Sequence, residues 1–255
     1  MYKILLAECD PLCRLVYKKM NVWSEYGFEI FAEAANGREA LRLFEKECYD
    51  LLVSNIKMPV MNGIELLHQI RNCGNDIPVV YITSHTDFEY TREAILLGAK
   101  DFIKKPATEK SVGEMLGRIH KALSQAENNA LSDIVVRIME QVGADIDGDI
   151  FLRNVSLFLS DSLCDTVSMS ETAEYFKMSK DYFGKCFKQH TGMSFNSVYT
   201  MIKMEYAKTL IDSGKYRNYE ISEILGFCAP DYFTKLFKSV TGMTPREYKS
   251  RNAIS

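Results

Sequence analysis

At 255 residues the chain exceeds the usual size of one domain, so two domains joined by a linker are expected. Its 31 Lys and Arg residues nearly balance 34 Asp and Glu, and only residues 151–255 carry a basic excess, 14 against 11, which favours nucleic-acid contact there. Since we find neither an apolar stretch of roughly 20 residues nor a signal-peptide layout, we expect a cytoplasmic protein without membrane contact.

The cysteines indicate a reducing compartment. Their number is odd, their spacings do not fit a zinc site, and most of them lie in apolar segments. We therefore expect reduced, buried thiols at Cys9, Cys13, Cys48, Cys73, Cys164, Cys186 and Cys228.

Five short apolar runs in the N-terminal half predict β-strands. They span Lys3–Ala7, Phe28–Ala34, Asp50–Ile56, Ile77–Thr83 and Asp101–Lys104. The intervening stretches place apolar residues three and four positions apart, which predicts helices. This alternation predicts an α/β domain with a five-stranded parallel sheet covered on both faces, in which ligands bind at the carboxyl ends of the strands.

Polar residues follow four of these predicted strands. The segments are Glu8-Cys9-Asp10-Pro11, Asn55-Ile56-Lys57-Met58-Pro59, Thr83-Ser84 and Lys105-Pro106. This layout resembles the CheY-like, flavodoxin-like receiver domain of response regulators, from residue 2 to about 125. The resemblance implies a pocket of Glu8, Cys9, Asn55, Thr83 and Lys105. In that family an acidic pair and an aspartate hold Mg²⁺, the aspartate accepts a phosphoryl group, and the hydroxyl and lysine residues contact its oxygens.

Two residues of this chain depart from the family pattern. Asn55 stands at the phosphoacceptor position, and an amide cannot act as the carboxylate nucleophile. Cys9 replaces the second member of the acidic pair, so only Glu8 remains of three expected carboxylates and we expect no Mg²⁺ or other cofactor. Without its usual anionic neighbours, Lys105 is predicted to pair with Glu8 or with the side-chain oxygen of Asn55.

Alternatives exist for individual residues of this pocket. Asp10 could replace the missing ligand by a shift of one position, although Pro11 fixes the register against it. Asn55 could be natural or an engineered substitution, and Cys9 could be a redox sensor or merely a tolerated small residue. Phe102 falls where receivers often carry an aromatic residue that swings with activation, but it could equally be a core aromatic.

A helical linker is predicted over residues 126–150. Val112, Leu116, Ile119 and Leu123 form an apolar seam that closes the receiver, and a second seam of Leu131, Val135, Ile138 and Val142 follows with a changed phase. The second seam suits either a short dimerising helix or a connector against the next domain. Gly143 is expected to end the helix, and the acidic run after it predicts a solvated linker rather than a calcium loop.

The C-terminal third contains one motif twice. The segment that begins Asp181-Tyr-Phe-Gly-Lys-Cys-Phe-Lys returns fifty residues later as Asp231-Tyr-Phe-Thr-Lys-Leu-Phe-Lys, and both copies end in Thr-Gly-Met. A shorter amphipathic segment and a turn precede each copy, at Glu171–Lys177 and at Glu220–Leu225. This order predicts an all-α domain with two helix-turn-helix units.

The helical phase of each copy separates two faces. One face is apolar and predicts a core contact through Tyr182, Phe183, Cys186 and Phe187, matched by Tyr232, Phe233, Leu236 and Phe237. The other face carries Asp181, Gly184, Lys185 and Lys188, matched by Asp231, Thr234, Lys235 and Lys238. A single lysine usually marks only a solvated face, but a repeated lysine pair favours a DNA major groove.

Residues 151 to about 250 resemble the DNA-binding domain of the AraC/XylS family, through the two units, a linking helix over Asn196–Ser213 and the ending Thr-Gly-Met-Thr-Pro-Arg-Glu-Tyr. The resemblance implies base contacts from Asp181, Gly184, Lys185, Pro230, Asp231, Thr234 and Lys235, and phosphate contacts from Lys180, Lys188 and Lys238. Gly184 removes a base contact, so sequence reading is expected to depend more on the second unit. Cys228 and Ala229 replace the polar residues that the family often has before the second recognition helix, so we do not expect a helix-capping contact to a phosphate there.

The sequence therefore predicts a receiver-like domain at 1–125, a linker at 126–150 and a DNA-binding domain at 151–255. We expect a transcriptional regulator that is not an enzyme, binds double-stranded DNA as a homodimer and does not use aspartyl phosphorylation. The alternative functions are a phosphorelay regulator phosphorylated at a non-standard residue, in which a histidine kinase would be a partner, and a protein-binding module that has lost DNA contact.

Overall fold

The computed structural model describes residues 1–84, 88–163 and 167–252, and Cys164 lies outside them. By their internal contacts, the residues form two units, Met1–Ser124 and Gln125–Ser255. The predicted division at residue 125 with a linker to residue 150 stays a prediction.

The first unit contains the predicted parallel sheet. Its strands are β1 (Tyr2–Ala7), β2 (Phe28–Ala34), β3 (Leu51–Ser54), β4 (Val79–Thr83) and β5 (Asp101–Lys104). They lie in the order β2-β1-β3-β4-β5 and every neighbouring pair is parallel. The prediction of the α/β class is confirmed, although β3 and β4 are shorter than the apolar runs that predicted them.

Helices cover both faces of the sheet. They are α1 (Pro11–Lys18), α2 (Val22–Glu25), α3 (Gly37–Phe44), α4 (Gly63–Asn72) and α5 (Phe88–Leu96), followed by the long α6 (Glu109–Gln141). Alternate residues of β1 separate into two cores, with Leu5 in the core toward α3 and α4, and Ile4 and Leu6 in the core toward the start of α6. This is the period of two that places successive strand residues on opposite faces.

The loop between β3 and α4 depends on Gly63. A Cβ atom there would lie 2.3 Å from the backbone oxygen of Asn55, and the Gly63 amide donates to the carbonyl of Ile56 at 2.8 Å. Asn62 and Glu65 form a capping box at the start of α4. The backbone at the end of β3 is therefore held close to the start of α4.

Within the second unit, α6 supplies core residues rather than an exposed connector. Leu131, Ile134, Val135, Ile138 and Met139 are buried with the helices that follow. Gly143 adopts a φ of +82°, which suits the predicted end of this helix. Asp149 then caps the next helix by accepting hydrogen bonds from the amides of Phe151 and Leu152.

The described part of the second unit is helical, as predicted. After α6 come α7 (Ile150–Ser162), α8 (Met169–Tyr175), α9 (Lys180–Thr191), α10 (Phe195–Asp212), α11 (Asn218–Ile224), α12 (Pro230–Thr241) and α13 (Pro245–Asn252). Two cores occupy this unit: one contains Phe183 and Phe187 of α9, and the other contains Phe233 and Phe237 of α12.

The expectation of buried thiols is wrong for the described cysteines. Cys48, Cys73 and Cys228 are exposed, and Cys9, Cys13 and Cys186 are half-buried. The apolar neighbours that suggested burial are adjacent in sequence, and in a helix or a turn such neighbours face other directions.

Candidate functional site

The predicted pocket residues of the first unit meet at the carboxyl ends of the strands. We call Glu8, Cys9, Asn55, Thr83 and Lys105 the strand-end pocket. The Lys105 ammonium lies 2.5 Å from Oε2 of Glu8, whose side chain is only 1% exposed. Of the two partners predicted for Lys105, it pairs with Glu8 rather than with the side-chain oxygen of Asn55. A charge-assisted contact of this length in a buried place is strong.

Asn55 uses its amide nitrogen as a double donor. Its Nδ2 atom lies 3.2 Å from Oε1 of Glu8 and 3.2 Å from the backbone oxygen of Lys57. A flipped amide would turn its oxygen toward the Glu8 carboxylate, so these partners fix the orientation. Within the described residues, the buried Oδ1 of Asn55 has no hydrogen-bond partner.

The remaining members of the pocket lie beside this pair. Cys9 places its sulfur 3.5 Å from the Lys57 carbonyl and 3.7 Å from Oε1 of Glu8. Thr83 is buried, and its carbonyl accepts the backbone amide of Lys105 at 3.0 Å. All five residues that the sequence assigned to the pocket are therefore neighbours at one edge of the sheet.

Asp10 does not take the place of the missing acid. It is the N-cap of α1, and its carboxylate accepts hydrogen bonds from the amides of Leu12 and Cys13. These two donors hold the pKa of Asp10 below its usual value. The carboxylate is thus engaged by the helix terminus and is not placed to replace the missing ligand.

The donor set of the strand-end pocket does not fit Mg²⁺. The only carboxylate in the strand-end pocket is that of Glu8. Both of its oxygens already accept hydrogen bonds, one from Lys105 and one from Asn55. A small hard cation needs several oxygen ligands, and across residues 1–84, 88–163 and 167–252 no group of three or more His, Cys, Asp and Glu side chains could hold a metal.

Phe102 packs at the edge of this region. Its ring stacks on Tyr81 with 5.6 Å between the centroids, and it is only partly buried. The Tyr81 hydroxyl donates to the Gly63 carbonyl at 2.9 Å, and burial raises the pKa of that hydroxyl well above its usual value. This packing agrees with a core aromatic, and the alternative that the ring swings with activation stays a prediction.

The two predicted helix-turn-helix units are present, as α8 with α9 and as α11 with α12. Both second helices end in the same way, with the Thr191 or Thr241 hydroxyl bonded to the carbonyl four residues earlier and the next glycine at a φ of +72° or +82°. The repeated Thr-Gly-Met sequence therefore forms one local structure twice.

The starts of α9 and α12 differ. Ser179 caps α9 by accepting a hydrogen bond from the amide of Tyr182. The corresponding Ala229 provides no side-chain cap, and Pro230 occupies the first turn of α12, where its missing amide hydrogen costs nothing. The expected absence of a capping contact to a phosphate at this helix stays a prediction.

Burial along α9 and α12 follows one pattern at all ten matched positions from Asp181 and from Asp231. Phe183 and Phe187 are fully buried, as are Phe233 and Phe237. The residues predicted to meet DNA lie on the other side: Lys180, Asp181, Lys185, Lys188, Pro230, Asp231, Lys235 and Lys238 are exposed, and Gly184 and Thr234 are half-exposed.

Two members of the predicted apolar face are not core residues. Tyr182 is 62% exposed and Tyr232 is 58% exposed. Each lies about 100° around the helix from the phenylalanine that follows it, so it falls at the edge of the buried stripe. The prediction that these tyrosines enter the core is wrong, and both rings border the polar face instead.

The sequence did not reveal a buried cation between the two helix-turn-helix units. Lys203 of α10 is 6% exposed, donates to the carbonyl of Leu225 at 2.7 Å and lies 4.6 Å from the ring centroid of Tyr199. It thus satisfies a carbonyl at the end of α11. A lysine within an amphipathic helix predicts an exposed side chain, so no signal in the sequence marked it.

Two family models match the chain: residues 4–116 match the response regulator receiver domain, and residues 172–251 match a helix-turn-helix domain. The chain is a response regulator. Its receiver domain precedes a helix-turn-helix domain of the AraC type. No helix in the described part of this response regulator has the length and apolar character needed to cross a membrane.

Several known proteins resemble this response regulator. The transcriptional regulatory protein HptR of Staphylococcus aureus (strain NCTC 8325 / PS 47) is 26% identical over 251 residues, which cover 97% of this chain and 98% of that protein. A response regulatory protein of Staphylococcus epidermidis is 26% identical over 249 residues, with the same coverage. The solved receiver domain of AraT from Geobacillus stearothermophilus is 30% identical, covers 49% of this chain and 97% of its own, and has a TM-score of 0.46.

Proposed function

We propose that this response regulator is a sequence-specific, DNA-binding transcriptional regulator whose receiver domain is not controlled by aspartyl phosphorylation. The observation that carries the proposal is the amide of Asn55, which donates to Glu8 and to the Lys57 carbonyl at 3.2 Å each. The Glu8 carboxylate oxygen and the Lys57 carbonyl oxygen would otherwise be available as ligands for a cation.

Asn55 fails as a phosphoacceptor for an electronic reason. Formation of an acyl phosphate requires a carboxylate oxygen as nucleophile, and the amide oxygen is neutral and part of a delocalised system. The Asn55 nitrogen, which could not attack either, already makes two hydrogen bonds within the pocket.

Lys105 has also lost the role that the resemblance assigns to it. Its ammonium is bound to Glu8 at 2.5 Å, and a phosphoryl group would have to compete with this buried carboxylate. Breaking a buried pair on one side is costly because it leaves an uncompensated charge. The ion pair and the two hydrogen bonds of the Asn55 amide nitrogen therefore hold the strand-end pocket in this arrangement.

DNA binding rests on the exposed polar faces of α9 and α12. Lys185 and Lys235, with Asp181 and Asp231, have the side chains that read base edges, and Lys188 and Lys238 are placed for phosphates. Phosphate contacts position the protein and base contacts provide the sequence preference. Both helices are anchored by fully buried phenylalanine pairs, which keeps these faces rigid.

The proposal includes an organisation of the whole chain. We assign the receiver domain to residues 1–125, the connecting segment to 126–150 and the DNA-binding domain to 151–255, in a cytoplasmic homodimer without enzymatic activity. The first core of the DNA-binding domain also uses α6, through Leu131 and Val135. This packing supports the connector alternative for the second apolar seam.

Mass spectrometry after incubation with acetyl phosphate and Mg²⁺ tests the receiver half of the proposal. We expect no acid-labile phosphoryl adduct on the wild-type protein. The Cys9→Asp, Asn55→Asp double variant, which restores the acidic residues, serves as the positive control and should acquire one. An acid-labile adduct on the wild-type protein would instead support a phosphorelay regulator modified at a non-standard residue.

Selection of binding sequences from random double-stranded DNA tests the other half. At one stated salt concentration, we expect an enriched sequence that binds more tightly than competitor DNA by about a thousandfold or more. Lys185→Ala and Lys235→Ala should relax the preference at separate base positions. If no sequence is enriched, the protein is a binding module that has lost DNA recognition.

A further inference from the structure

We propose that Met169 is a base-contacting residue of the first helix-turn-helix unit, where its methyl group replaces the side chain that Gly184 lacks and contacts the 5-methyl group of a thymine. This inference rests on the proposed DNA binding. It adds a specificity-determining residue that lies on α8, outside the helix expected to enter the groove.

The position of the Met169 side chain carries the first step. A Cβ atom built on Gly184 would lie 2.3 Å from Cε of Met169 and 3.9 Å from its sulfur. The end of the methionine therefore occupies the place where a side chain of residue 184 would begin. Gly184 lies between Asp181 and Lys188 on the polar face of α9, so this methyl group is part of that face.

An open groove beside Gly184 carries the second step. It has a volume of about 440 Å³, and its lining includes Met169, Gly184, Lys185, Lys188 and Asn196. Asp181 also lines this groove, but Lys185 and Lys188 leave it a net positive charge, which suits a negatively charged ligand that presents an apolar group at its centre. Double-stranded DNA provides this combination, because phosphates flank the thymine methyl groups of its major groove.

The second helix-turn-helix unit shows which side chain stands where Gly184 has none. Fifty residues after Gly184, Thr234 provides a short side chain on the polar face of α12, and its hydroxyl donates to the Pro230 carbonyl at 2.9 Å. Met169 is the first residue of α8, and the residue that matches it at the start of α11 is Asn218, which is exposed. The two units thus present different groups at matched positions, a methionine methyl group in one and a threonine in the other.

The chemistry of methionine points to one base feature. Its thioether chain has no hydrogen-bond donor and fits irregular apolar gaps, so it cannot read the amide and carbonyl edges of bases well. The 5-methyl group of thymine is the apolar feature that the major groove displays for direct contact. Met169 is therefore expected to favour thymine at one position of the half-site under the first unit.

Replacement of thymine by deoxyuracil, which removes only this methyl group, tests the inference on the full-length protein. In a sequence selected from random DNA, each thymine is replaced singly and the affinity is measured. For the wild-type protein we expect a loss of about fourfold at one thymine under the first unit, as for one buried methyl group. Met169→Ala should bind the two DNAs equally at that position, and Met169→Leu should retain most of the difference.

The measured quantity is a ratio of two affinities for one protein sample, so partial unfolding of Met169→Ala does not affect it. Ser170→Ala, on the neighbouring exposed position of α8, should keep the wild-type ratio. An unchanged deoxyuracil penalty in Met169→Ala at every thymine overturns the inference. Failure to select any specific sequence would instead contradict the proposed DNA-binding function itself.

Discussion

In the first helix-turn-helix unit, Phe183 and Phe187 are buried in a core that extends back to Leu131 of α6 and includes α7. In the second unit, Phe233 and Phe237 are buried in a smaller core that begins at Met204 of α10. The two units therefore present matching surfaces on different supports. A repeated motif fixes the contacts within each unit, whereas the surrounding helices determine what each unit needs in order to remain folded.

The largest expected effect comes from cutting the chain at residue 146. A 146–255 fragment lacks Leu131, Ile134, Val135, Ile138 and Met139, each of which contributes about 1.5–3 kcal/mol by burial. The combined loss approaches the whole stability of a domain. We expect hydrogen exchange to show α9 losing its protection while α12 keeps more of its own.

The matched control for this truncation is a 125–255 fragment, which retains the whole compact unit Gln125–Ser255, including the second half of α6. It should protect the amides of α9 and α12 to similar extents. Equal protection of the two helices in the 146–255 fragment would show that α6 does not support the first unit.

Lys203→Met is expected to have a smaller effect on stability, confined to the second helix-turn-helix unit. Methionine keeps the apolar stem but removes the hydrogen bond to the Leu225 carbonyl, which should lower the opening free energy of α11 and α12 by about 1–3 kcal/mol. Hydrogen exchange of α9 should not change. Lys208→Met is the control, because Lys208 forms a more exposed pair with Glu205 and should cost less than about 1 kcal/mol.

Exchange of the helix caps would make the two units more alike. Ser179→Ala should destabilise the domain by about 1 kcal/mol, since it removes the acceptor for the Tyr182 amide. Ala229→Ser should stabilise it by up to about the same amount, because residue 229 already has the extended backbone of a cap. Urea unfolding measures both changes in the free energy of unfolding, provided that its dependence on urea concentration is unchanged. A loss of stability in Ala229→Ser would contradict the comparison of the two caps.

The smallest expected effect concerns the exposed polar faces of α9 and α12, which are alike in the two helix-turn-helix units. Lys188→Ala and Lys238→Ala should each reduce the slope of log affinity against log salt by about 1, uniformly across DNA sequences. Lys249→Ala on α13 should leave the slope unchanged. A change in slope for only one of the first two variants would show that the units do not contact phosphates in the same way.

The sequence was sufficient for features that depend on local periodicity. All five strands overlap their apolar runs, and the repeat placed α9 and α12 correctly because a period of 3.6 residues separates buried from exposed positions. The polar strand ends met in one pocket because parallel strands end at one edge of the sheet.

Features that depend on distant partners could not be predicted. Lys203 is buried against a carbonyl 22 residues away, and Met169 reaches a helix that begins 11 residues later. Tyr182 was misplaced because helical phase alone does not determine where the neighbouring helices stop covering a stripe. Such outcomes are decided by tertiary packing, for which one sequence contains no periodic signal.

The buried ion pair of the strand-end pocket has an electrical consequence. The Glu8 carboxylate and the Lys105 ammonium offset each other in charge, and the Asn55 amide and the Thr83 hydroxyl beside them carry none. An ion pair without net charge exerts little long-range pull on a divalent cation or a phosphate dianion. Under the proposed function, the pocket therefore lacks a carboxylate nucleophile and also exerts little attraction on the reactants.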